Sequence, residues 1–186
     1  FYTMGVHPEF DQRLMGWVNG LRAQVGKGRH TPHEFVVLDH VLHDMRLYKS
    51  RAEVSAMKRA AKIAGKAHVR AMKFCRPGRR EYEVEAEFLH EFRRNGTEPS
   101  YLPIVGGGEN GCILHYTENR DLLQDGDLLL IDAGCEVDGY ASDITRTFPV
   151  NGKFSHAQRQ IYDLVLQAQI AAINQIKPGK HCKEAH

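Results

Sequence analysis

The stretch from Leu128 to Phe148 leaves the chain little freedom. The apolar run Leu128-Leu129-Leu130-Ile131 passes into Asp132-Ala133-Gly134-Cys135-Glu136-Val137 and turns at Asp138-Gly139. It returns through Tyr140-Ala141-Ser142-Asp143-Ile144-Thr145-Arg146-Thr147-Phe148. Asp-Gly between two strand-like runs signals a type I′ hairpin, in which both central residues take positive φ. Centring the turn there sets Asp132 opposite Thr145 and Asp143 opposite Gly134. Residues two apart on a strand share a face, so the two aspartates become diagonal neighbours on one face. Carboxylates are rarely set inside apolar strand sequence unless they are paired or bound to a cation. Two of them on adjacent strands suit a pair of hard divalent ions. The competing reading, a solvated hairpin with ordinary surface carboxylates, sits badly with the apolar flanks.

Composition narrows the function classes. With 186 residues and 42% apolar content, the chain is long enough to bury a core as one domain or one and a fraction. A net charge of +2 makes no electrostatic case for nucleic acid or an anionic membrane. No stretch has the length of a membrane span, and no secretory signal opens the chain. Cys75, Cys112, Cys135 and Cys182 form no CxxC pair, which fits idle thiols in a reduced, cytoplasmic setting. Phe1-Tyr2 opens as if in mid-element and the chain stops soon after a helix exit, so we expect an internal piece of a longer protein.

Residues 1–49 read as the C-terminal part of an α/β unit. Phe10, Leu14, Trp17, Leu21 and Val25 recur at helical spacing before Gly26-Lys27-Gly28. Glu34-Phe35-Val36-Val37-Leu38 predicts a short buried strand, and Asp39 is expected to cap a turn of helix through Val41, Leu42 and Met45. Residues 50–186 form a second unit. Ser50-Arg51-Ala52-Glu53 is a capping box, opening a helix expected to bury Val54, Met57, Ala61, Ala64 and Met72. Lys58, Lys62, Lys66, Arg70 and Lys73 make a solvated stripe, and His68 reads as a packed, hydrogen-bonded histidine. After Arg76-Pro77-Gly78, a helix from Glu81 to Asn95-Gly96 buries Val84, Phe88, Leu89 and Phe92. Strands are expected near Ile104, at 111–116, at 127–133 and at 141–148. Ser155-His156-Ala157-Gln158, a second capping box, opens a helix through Ile161, Leu164, Val165, Ala168 and Ala172 that Pro178-Gly179 ends. Helices followed by an antiparallel β-rich stretch and a further helix make the chain α+β.

Other constellations carry less. His115, in the strand-like run Cys112-Ile113-Leu114-His115-Tyr116, reads equally as an oxyanion donor or proton shuttle and as a structural histidine. Gly106-Gly107-Gly108 lacks the following helix or GK[ST] of a phosphate cradle and reads as a flexible loop backing the site. Glu87-Phe88-Leu89-His90 has the spacing of a di-iron carboxylate ligand pair, but no second copy exists. Two ions about 3.5–4 Å apart need several donors each, and the hairpin supplies two carboxylates.

The segments Glu109-Asn110-Gly111-Cys112-Ile113-Leu114-His115-Tyr116-Thr117-Glu118-Asn119 and Ile131 to Glu136, with Asp143 to Gly152, closely resemble the Xaa-Pro aminopeptidase (aminopeptidase P) family. The likeness extends over nearly the whole chain, including Leu42-His43-Asp44-Met45-Arg46-Leu47. It implies part of a pita-bread (creatinase/aminopeptidase) catalytic domain preceded by the tail of a smaller α/β domain. It also implies two divalent ions, Mn²⁺, with Asp132 binding one and Asp143 bridging both. His115 would contact the substrate or the tetrahedral intermediate, and Tyr101 would line the substrate pocket. The implied reaction is release of the residue before a penultimate proline, by attack of a metal-bridging hydroxide on the peptide carbonyl. The family's remaining ligands, a histidine and two glutamates, belong to motifs expected beyond His186, so the chain alone should be inactive. A homo-oligomer, tetramer or dimer, is implied for the whole protein. A prolidase acting on Xaa-Pro dipeptides and a non-catalytic pita-bread binding module are the alternatives.

Overall fold

A computed structural model describes residues 4–184. Phe1 and Tyr2 at the opening, and Ala185-His186 at the end, lie outside the described residues, as does the Cys182 side chain. The chain divides into two compact units, one ending at Arg51 and the other beginning at Ala52.

The first unit contains helices α1 (Pro8–Arg22) and α2 (Leu38–Leu47). Proline is tolerated in the first turn of α1 because no intrahelical acceptor awaits its missing N–H. Phe10 and Trp17, one face apart by two turns, pack edge to face. A 3₁₀ turn at Val25–Lys27 then ends on Gly28 at φ 77°. The strand expected at 34–38 does not form: residues 31–37 are irregular, and Phe35, Val36 and Val37 are exposed. A strand exists only through a partner's backbone, and none of the described residues of this unit supplies one. Val37 caps α2, and Asp39 lies within its first turn, favoured there by the helix dipole.

The second unit is built on α3 (Arg51–Phe74) and α4 (Glu81–Arg94), packed on one face of a sheet. α3 starts where the capping box predicts. The residues it buries, however, are Ala60, Ile63, Ala64, Ala67, His68 and Ala71, whereas Val54, Met57, Ala61 and Met72 are exposed. Apolar residues occur on more than one face of this helix, and the alanine-rich face allows the closest approach to the sheet. On α4, Val84, Phe88 and Phe92 are buried as expected, while Leu89 points outward. Glu87 pairs with Arg70, which leaves the Glu87/His90 spacing a packing feature.

The strands are β1 (Glu98–Pro99), β2 (Ile104–Gly107), β3 (Leu128–Ala133), β4 (Cys135–Val137), β5 (Tyr140–Ala141) and β6 (Ile144–Pro149). They form two three-stranded antiparallel sheets, β2-β3-β6 and β1-β4-β5. The hairpin register is the expected one, with Asp132 opposite Thr145 and Val137 opposite Tyr140. Asp138 and Gly139 take φ 51° and 83°, as a type I′ turn demands. Along β3, Leu129, Ile131 and Ala133 are buried with the helices, and Leu128, Leu130 and Asp132 lie on the opposite face.

In the β-rich stretch two expectations fail. Residues 111–116 are not a strand: a 3₁₀ turn, Gly108–Cys112, runs into an exposed turn at Ile113, Leu114 and His115. Nor are Gly106 and Gly107 a flexible loop, since both belong to β2 and pair with Leu130 and Leu129. They are glycines because of close approach. A Cβ on Gly106 would meet the Asn110 and Gly111 backbone at 2.9 Å, and one on Gly107 would meet Leu123 at 2.4 Å.

Helix α5 (His156–Gln175) opens on the predicted capping box, with Ser155 Oγ accepting from the Gln158 amide at 3.2 Å. Its apolar residues Ile161, Leu164, Val165, Ile170 and Ile173 are exposed. No helix among the described residues is long and apolar enough to cross a membrane.

Candidate metal centre

The two hairpin sheets meet at a break, and the break makes the site. Gly134 separates β3 from β4, and Ser142-Asp143 separate β5 from β6. The Ser142 side chain enters the gap: its hydroxyl lies 3.0 Å from both the amide nitrogen and the carbonyl oxygen of Cys135, taking the proton of the first and giving its own to the second. Backbone is so crowded here that a Cβ on Gly134 would lie 1.7 Å from the Ser142 carbonyl oxygen. An isolated glycine inside a strand pattern was the sequence signal for this approach. Asp143 therefore sits just ahead of β6, exposed, rather than within a strand as its sequence suggests.

Ser100 ties a third segment to the same place. Its amide donates to the Gly134 carbonyl at 3.0 Å and its hydroxyl to the Ser142 carbonyl at 2.9 Å. That anchorage delivers the next residue, Tyr101, to the aspartates. The Tyr101 hydroxyl is 2.5 Å from Asp132 Oδ1 and 3.1 Å from Asp143 Oδ1. The two carboxylates thus converge on one atom, as the hairpin parity requires. Burial, followed by the hydrogen bond and charge of Asp132 and then those of Asp143, pushes the phenol pKa well above its usual value.

One phenolic proton satisfies one carboxylate oxygen at a time. Neither aspartate has an ion-pair partner among the described residues. The arrangement gathers negative charge and hard oxygen lone pairs without a cation of the protein's own. Such a donor set fits a divalent metal. It is also incomplete: among the described residues no cluster of three or more His, Cys, Asp or Glu side chains could hold an ion.

His115 occupies the exposed turn after the 3₁₀ segment, at φ 57°. Among the described residues it makes no hydrogen bond to either aspartate. What holds its turn is Glu81 at the start of α4, a fully buried carboxylate that the sequence did not single out. Glu81 Oε1 accepts from the Gly107 amide at 2.8 Å and Asn110 Nδ2 at 3.1 Å. Its Oε2 accepts from the Tyr116 hydroxyl at 2.8 Å and the Asp121 amide at 2.9 Å. Four donors compensate the burial of its charge. Burial and the Glu81 hydrogen bond raise the Tyr116 pKa to about 12. A groove of about 420 Å³ runs along the aspartate-bearing face, between Leu128, Thr145 and Thr147 on the sheet and Ile161, Tyr162 and Val165 on α5.

The model of metallopeptidase family M24 matches residues 55–186. Over 180 residues the chain is 59% identical to the Xaa-Pro aminopeptidase of Escherichia coli (strain K12), covering 96% of this chain and 41% of that protein. Among solved structures it is similar to Pseudomonas aeruginosa aminopeptidase PepP, with a TM-score of 0.90 and 56% identity over all of this chain and 42% of that one. It is similar also to a zinc-substituted E. coli aminopeptidase P in complex with product, with a TM-score of 0.89 and 48% identity over the same shares of the two chains. The chain thus spans about two fifths of the length of the relatives it matches.

Proposed function

Because the chain belongs to metallopeptidase family M24, we propose that the whole protein is a metal-dependent aminopeptidase releasing the N-terminal residue ahead of a penultimate proline. The observation that carries this reading is the convergence of Asp132 and Asp143, unpaired with any cationic side chain among the described residues, on the Tyr101 hydroxyl. The names of the close relatives supply the substrate class.

In this reading Asp132 and Asp143 would be among the residues that hold two divalent ions, Mn²⁺. A histidine and two glutamates from the rest of the protein complete the set. When bound, such ions supply Lewis acidity and lower the pKa of water to near neutrality. Tyr101 holds the two carboxylates together by offering its proton to one oxygen at a time, which leaves their other lone pairs free for a cation. His115 donates an N–H to the substrate carbonyl oxygen as negative charge develops there, from a turn that Glu81 and Tyr116 hold in place. The peptide lies on the open sheet face, and residues 1–49 belong to a preceding α/β domain. The protein works as a homo-oligomer in the cytoplasm, where its cysteines stay reduced.

The test uses the full-length enzyme, stripped of metal and reloaded with Mn²⁺. It should release alanine from Ala-Pro-Ala, and Asp143→Asn should lower kcat/KM by about a hundredfold or more. Undiminished activity after chelation, or cleavage of the dipeptide Ala-Pro alone, would overturn the proposal.

A further inference from the structure

We propose that His68, buried in α3 behind the sheet, is a positioning residue for both aspartates. Its imidazole tethers the last rung of the β3–β6 ladder, one residue from each of them. The inference rests on Asp132 and Asp143 being the cation ligands.

His68 Nε2 lies 2.9 Å from the Ile144 carbonyl oxygen, so Nε2 carries the proton and donates it. Ile144 follows Asp143 directly. It pairs across the ladder with Ala133, which follows Asp132. Beyond this rung regular strand structure stops at Gly134 and Ser142-Asp143; on that side of Asp143 the backbone is held through Ser142, whose amide donates to the Cys135 carbonyl at 2.8 Å. The helix donor fixes the other side of Asp143, at the Ile144 carbonyl.

The second observation is a cost that this histidine incurs. The residue is 3% exposed, and among the described residues its buried Nδ1 has no partner. The rest of this helix face is apolar, Ala60, Ile63, Ala64, Ala67 and Ala71. A leucine or methionine would avoid the unpaired nitrogen altogether, so packing does not explain a histidine here. The Nε2 proton does. Phe88 stacks edge-on to the ring at 4.8 Å between centroids and 89°, fixing its plane so that Nε2 points at the strand. Burial lowers the pKa, and the Ile144 and Ala133 carbonyls only partly oppose it. The tether is therefore a neutral donor that adds no positive charge behind a cation site.

The experiment compares full-length wild type with His68→Leu and His68→Gln. Gln keeps an N–H near the place of Nε2, and Leu fills the space without one. Mn²⁺ affinity is read by calorimetric titration, alongside kcat and KM. In His68→Leu the affinity should fall about ten- to a hundredfold, with kcat lowered and KM little changed, and Gln should recover most of the loss. A folded Leu variant with wild-type affinity and kcat would overturn the tether. So would a Gln variant no better than Leu. Should Leu not fold, the ¹⁵N spectrum of the wild-type ring decides: the Nε2–H tautomer is expected, and Nδ1–H refutes the bond. If wild type itself takes up no divalent ion, the reading of the aspartates as ligands falls first and carries this one with it.

Discussion

Gly134 and Ser142 show how much of a site can rest on backbone contact. Gly134 has no unusual φ; its lack of a side chain is needed because the Ser142 carbonyl occupies the space a Cβ would take. Gly134→Ala should therefore cost about 3 kcal/mol or more in urea denaturation, since strands must part to admit the methyl group. A loss under about 0.5 kcal/mol would mean the break is softer than its geometry implies. His68 provides a pH dependence whose sign follows from burial. Desolvation is the largest influence and lowers the pKa. The Ile144 and Ala133 carbonyls raise it, Arg146 lowers it further, and Asp132 raises it. The folded pKa stays below the unfolded value of about 6.5, so the unfolded chain binds the proton more readily. The stabilisation is complete above about pH 6.5 and is lost as pH falls below it. Urea midpoints measured from about pH 7 down to about pH 5 should decline, and less steeply in His68→Gln. Greater stability on acidification would contradict the assignment.

Among the elements, those specified by short-range signals form where the sequence places them. The α4 boundaries, the hairpin turn and the start of α5 each depend on a few adjacent residues. Ser155→Ala should remove about 1 kcal/mol from the first turn of α5, seen as faster amide exchange at Gln158, whose N–H bonds the serine. Unchanged exchange there would show the cap to be idle. The elements that miss expectation depend on partners distant in sequence. Residues 34–38 carry strand propensity but pair with nothing described. Residues 111–116 look equally strand-like, yet Glu81 draws Asn110 and Tyr116 together and folds the stretch into a turn. A buried glutamate forty residues from Asp121 has no local signature.

At the scale of the whole molecule, the chain presents an open sheet face, an exposed apolar helix α5 and a pair of aspartates with which, among the described residues, no further His, Cys, Asp or Glu forms a cluster able to hold an ion. Each agrees with a chain that spans about two fifths of its relatives' length. Titration of this chain alone with Mn²⁺ should show no tight binding, whereas the full-length protein should take up metal. Stoichiometric, tight uptake of two ions by the chain alone would refute the assignment of the remaining ligands to the rest of the protein. The α+β class, the hairpin register and the shared face of Asp132 and Asp143 were all determined by the sequence itself. They follow from alternation, turn chemistry and chain polarity, which are properties of neighbouring residues. Only the tertiary structure decided that Tyr101 would stand between those aspartates, that α3 would bury Ala60, Ala67 and Ala71 rather than Val54 and Met57, and that Glu81 would anchor the His115 turn. Those outcomes depend on which surfaces approach closely enough to exclude water, and that is a property of the folded whole.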